Sequence, residues 1–107
     1  MKEVFNKDYF VRKFKAIPSK LFIANAQNGE NGSHCAVGWC QRDGNEAYTS
    51  FENSGELRAL ATLFSENGIT YGGDRGWNVA YVNNGGNPYY KQSTPKKRIL
   101  AALNDCK

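Results

Sequence analysis

The sequence predicts a single α+β domain with about four helices packed on a small antiparallel sheet. Three observations carry this. Three stretches repeat apolar residues at helical spacing, and "WNVAYV" at 77–82 alternates like a strand. Glycines cluster at 29–44 and 68–86, which supplies turns. A chain of 107 residues forms one domain, residues 1–107, with no linker and no internal repeat.

The first helix is "NKDYFVRKFKAI". Phe10, Phe14 and Ile17 fall at i, i+4 and i+7, and Val11 widens the stripe. Asn6 suits the N-cap, Asp8 suits the positive helix end, and Pro18 stops the helix. "KLFIANA" fits a short strand or a helical turn, and "QNGENGSH" is a loop by composition. Ser33 stands where an N-cap would precede "HCAVGWCQ", a helix of two to three turns. Gly38 weakens that helix by about 1 kcal/mol relative to Ala. "YTSF" at 48–51 reads as a brief extended piece.

"NSGELRALATLFSENG" is the clearest helix, with Leu57, Leu60, Ala61 and Phe64 on one stripe. Asn53 and Glu56 have capping-box spacing, and Gly68 is a C-terminal stop. In "WNVAYV", Trp77, Val79 and Tyr81 alternate with Asn78, Ala80 and Val82, giving the central strand. "NNGG" at 83–86 is a turn, and "NPYYK" is a second strand or an extended loop. "STPKKRILAALNDCK" closes the chain as a helix. Thr94 is its N-cap, Pro95 its first residue, and Ile99, Leu100 and Leu103 its apolar face. The helices at 55–67 and 95–104 are expected to form much of the core.

A net charge of +4 suits an anionic partner and ordinary solubility alike. Three cysteines cannot all pair within one chain. The N-terminal "MKEVFNKDYF" lacks the apolar segment of a signal peptide, and no run is long and apolar enough to span a membrane. The expected setting is the cytoplasm, with reduced thiols.

Rare chemistry crowds into "GSHCAVGWC". On a helix, His34 and Cys35 diverge by about 100°, and Cys35 and Cys40 by about 140°. That spacing argues against a zinc cluster and against a Cys–His dyad. Cys35 at a helix start is a possible reactive thiol; packing is the simpler role for both cysteines. No catalytic residue, metal or cofactor is predicted, and no nucleotide-binding or hydrolase signature occurs.

"STPKKR" is electrostatically unusual. A helix N-terminus carries partial positive charge, yet Lys96, Lys97 and Arg98 sit there. An anion docked at that end would explain them. The predicted ligand-binding set is therefore Lys96, Lys97, Arg98 and Thr94, with Tyr89, Tyr90 and Lys91 just upstream. Arg75, Trp77, Asn83 and Asn84 complete it. Aromatic faces beside cations suit a nucleotide. The competing reading is a solvated basic face with core tyrosines.

An ordered series of short motifs adds a resemblance. "CAVG", "ELRALATLF", "VAYVNNGG" and "TPKKRILAALND" span roughly residues 9 to 105. Together they resemble small phage and bacterial proteins of the DUF6197-type family. The family's Asn-Asp turn is Asn83-Asn84 here. The resemblance carries no activity; it implies a phage or prophage setting.

The expected function is non-enzymatic binding that sequesters or blocks a host factor as a counter-defence device. One version holds a small anionic ligand, such as a cyclic signalling nucleotide. The alternative is a protein–protein inhibitor of a host defence complex or nuclease. A Cys35-dependent enzyme ranks below both, and nucleic-acid binding is last because acids interleave the basic residues. A homo-oligomer is compatible with each.

Overall fold

The structure, a computed structural model, describes residues 4–25, 29, 32–41, 55–70 and 75–107, with backbone alone at 41, 75 and 76. The described residues form five α-helices and one 3₁₀ turn. They are α1 (Lys7–Ala16), the turn (Ser19–Leu21), α2 (Ala36–Gln41), α3 (Gly55–Glu66), α4 (Arg75–Asn83) and α5 (Pro95–Asn104). No strand occurs among them, so the expected α+β class is corrected to a helical one. Pairing is limited to an isolated parallel bridge between Phe22 and His34. Within "KLFIANA", Lys20 and Leu21 belong to the 3₁₀ turn and Phe22 is the bridge residue, while Ala26 lies outside the described residues.

The helix ends follow local chemistry. The Asn6 side chain accepts from the Tyr9 N–H, and α1 stops at Ile17, just before Pro18. The Thr94 side chain accepts from the Lys97 N–H, with Pro95 opening α5. Gly68 has φ +78, the left-handed conformation that ends a helix cheaply in glycine. Leu57, Leu60, Ala61 and Phe64 are all buried, as their spacing predicts.

The expected central strand is helix α4. Its buried residues are Asn78, Val79, Val82 and Asn83, which lie within an arc of about 140° on a helix. Trp77, assigned to the apolar face by alternation, is 61% exposed. Two asparagines belong to the buried stripe, so a reading that counts only apolar residues sees period two where burial has the helical period.

Helix α2 is also corrected. It has six residues rather than two to three turns, and it begins three residues after Ser33. The Ala36 N–H donates to Asn83 Oδ1 at 2.9 Å, so the cap comes from α4. "YTSF" and Asn53 lie outside the described residues.

Helix α5 packs on both α1 and α4, α3 packs on α4, and α2 touches α3, α4 and α5. Phe10, Phe14, Phe22, Phe64, Leu57, Leu60, Ile99 and Leu103 are fully buried between them. An edge-to-face contact of Phe14 on Phe22 ties α1 to the residue that follows the 3₁₀ turn.

Candidate functional site

The junction of α4 and α5 brings together Asn83 and Arg98 of the predicted ligand residues. Asn83, fully buried, is its hub. Its Oδ1 caps α2, and its Nδ2 donates to the Ile23 carbonyl and to Asn84 Oδ1, each at 2.9 Å. The Asn83 carbonyl accepts from Arg98 Nε at 3.1 Å and Nη2 at 2.8 Å. Arg98 Nη1 donates to the Gln92 carbonyl at 2.8 Å. One guanidinium thus closes the end of α4 and anchors the loop leading into α5, with burial lowering its pKa.

The cations of "STPKKR" diverge. Lys96 Nζ donates to the carbonyls of Lys15 and Ile17, at the end of α1. Lys91 Nζ donates to the Gly85 carbonyl at 2.6 Å, and Lys97 is exposed. Lys7, at the start of α1, donates to the carbonyl of Asn104, the last residue of α5, and to that of Cys106, two residues further on. The start of α5 therefore lies beside the ends of α1 and α4, and the start of α1 beside the end of α5. A cation that is unfavourable for its own helix N-terminus is favourable for a neighbour's C-terminus. That accounts for Lys96 and Arg98 at the start of α5.

The other predicted residues scatter. Tyr90 is buried and donates its hydroxyl to Asp105 Oδ2 at 2.8 Å. Burial, reinforced by Asp105, pushes its phenol up to about 12. Tyr89 is 85% exposed, as befits a loop ring with no core to enter. Thr94 serves as the α5 cap, and Asn84 Oδ1 accepts from the Asn25 N–H. Trp77 lies in the first turn of α4; the Arg75 side chain lies outside the described atoms.

The thiols are packing groups. Cys35, Cys40 and Cys106 are buried and form no disulfide with one another. Burial raises the Cys35 pKa against hydrogen bonds from the α2 backbone, reversing the lowered value a helix start would give. Burial, with the Glu56 carboxylate beside it, raises Cys40 well above its usual range. His34 is buried with its ring edge-to-face on Trp39, 4.7 Å between centroids. Among the described residues, no three His, Cys, Asp or Glu side chains converge as metal ligands do.

Sequence reasoning missed a second polar cluster. The Glu56 carboxylate accepts from the Tyr9 hydroxyl and pairs with Lys13, which also donates to the Trp39 carbonyl at 2.9 Å. It joins α1, α2 and α3. Tyr9 and Lys13 stand at i, i+4 on one face of α1, a signal for one shared partner but not for its identity.

Comparison with known proteins adds no assignment. No family model, curated protein or solved structure matches the chain. No described helix is long and apolar enough to cross a membrane.

Proposed function

We propose that this is a non-enzymatic binding protein of phage or prophage origin that blocks a host protein by docking through exposed aromatic residues. The origin rests on the resemblance alone. The observation that carries the binding mode is the exposure of Trp77 and Tyr89, 61% and 85%, within a domain that buries its other described large rings more deeply or packs them together. Trp and Tyr dominate the energetics of protein interfaces because they bring large contact area at low entropy cost. The buried, proton-retaining thiols favour binding over cysteine chemistry. The small-anion reading loses its main motive, since Lys91, Lys96 and Arg98 are held by backbone carbonyls.

A photo-crosslinking phenylalanine analogue placed at Trp77 or Tyr89, with exposed Asn104 as control, tests the reading. One discrete host-protein adduct at 77 or 89, competed by unmodified protein and missing at 104, is the expected result. No competed adduct at either position, together with heat from a member of a cyclic-nucleotide panel in calorimetry, returns the small-anion reading instead.

A further inference from the structure

We propose that Asn84 is a self-modifying site, where attack by the Gly85 backbone nitrogen converts the side-chain amide to aspartate and isoaspartate. The reaction needs an electrophilic side-chain carbonyl, an unhindered following residue and a leaving amide that can depart. Asn84 is exposed and is followed by Gly85, which has no Cβ to block the ring closure and sits at φ +83 in the turn that ends α4.

The geometry around Oδ1 supplies the activation. Two N–H groups converge on it, the Asn25 backbone amide at 2.7 Å and Asn83 Nδ2 at 2.9 Å. Negative charge develops on this oxygen when the nitrogen attacks, and two fixed donors stabilise it as an oxyanion hole does. Asn83 is buried and held by three further groups, so its donor is already in place. The Gly85 N–H rests on the Val82 carbonyl at 3.2 Å, a long contact at a helix end that must open before attack.

The balance is simple. The Gly85 N–Cγ bond forms, the Cγ–Nδ2 bond breaks, and the proton of the Gly85 amide leaves with the nitrogen as ammonia. Water then opens either carbonyl of the five-membered imide. Nothing is oxidised or reduced. The isoaspartyl product carries one extra backbone carbon between the α-carbon of residue 84 and Gly85. It displaces the acceptor that fastens Asn25, a non-glycine residue held at φ 66. Residues 22–25 are thereby loosened from α4, slowly and in one direction.

Asn67-Gly68 provides an internal control. Gly68 is also at positive φ, and its N–H is likewise bonded, to the Ser65 carbonyl at 3.1 Å. There the leaving amide is held, Asn67 Nδ2 donating to the Leu63 carbonyl at 2.8 Å, and one donor, the Lys107 N–H, reaches Oδ1. The full-length folded protein, and the same protein in urea, are aged at mildly alkaline pH and mapped by peptide mass spectrometry with isoaspartyl-specific labelling. Each site's folded rate is divided by its unfolded rate. The expected ratio at Asn84 is several-fold higher than at Asn67. An Asn84 ratio equal to or below that of Asn67 overturns the proposal.

Discussion

Lys96 Nζ lies 2.7 Å from the Ile17 carbonyl, so a side chain at the start of α5 completes the end of α1. With Lys7 at the end of α5 and Arg98 at the end of α4, three helix C-termini are closed by cations from other helices. Each satisfies carbonyls that a helix end leaves unpaired, and each opposes the negative end of the dipole.

Removing these caps should therefore cost stability even though they look like surface charges. Lys96→Met is expected to lower unfolding free energy by about 1 kcal/mol and Arg98→Ala by about 2 kcal/mol, in urea titrations. Arg98→Lys should recover little, because an ammonium cannot span the Asn83 and Gln92 carbonyls as a planar guanidinium does. Full stability in Lys96→Met and Arg98→Ala would restore the case that these cations serve a ligand.

Asn83 should be the most sensitive polar residue in the domain. Asn83→Leu leaves the Ala36 N–H and the Ile23 carbonyl without their partner and is expected to cost about 3 kcal/mol. Asn83→Asp keeps the acceptor for Ala36 but turns a carboxylate oxygen toward the Ile23 carbonyl and Asn84 Oδ1. Its carboxyl is then favoured in the protonated form, so the deficit should grow from acidic to neutral pH. Chemical denaturation at two pH values checks both expectations.

Stability should fall on the alkaline side. The folded pKa is raised from 10.0 to about 12 for Tyr90 and from 9.0 to about 11 for Cys106, chiefly by burial in each case. A raised folded value means the unfolded chain loses its proton first. These contributions are thus whole below the unfolded values and vanish as pH climbs to the folded ones. The decline should begin near pH 9 with Cys106 and continue to about 12 with Tyr90. Tyr90→Phe should flatten the upper part of the curve in urea midpoints measured against pH.

The native thiols should be silent. Cys35, Cys40 and Cys106 are buried and hold their protons, so a chromogenic disulfide reagent at neutral pH is expected to label none until denaturant is added. Rapid labelling of Cys35 in the folded protein would revive cysteine chemistry.

The features legible in the residues alone lie within one turn of the residue concerned. Asn6, Thr94 with Pro95, and Gly68 mark helix ends because a cap bonds backbone three residues away or less. The stripes of α1, α3 and α5 are legible because their buried members are apolar. The rest depends on packing between elements. Asn78 and Asn83 are buried because other elements bring them partners: Ala61, Ser65 and Ile69 for one, Ala36 and Ile23 for the other. Without those partners a buried amide is costly, so nothing local distinguishes the helix α4 from an alternating strand. The cations of "STPKKR" were legible as an anomaly but not as a solution. Their carbonyl partners lie as far as 81 positions away in the chain, and only packing brings a helix start against another helix's end.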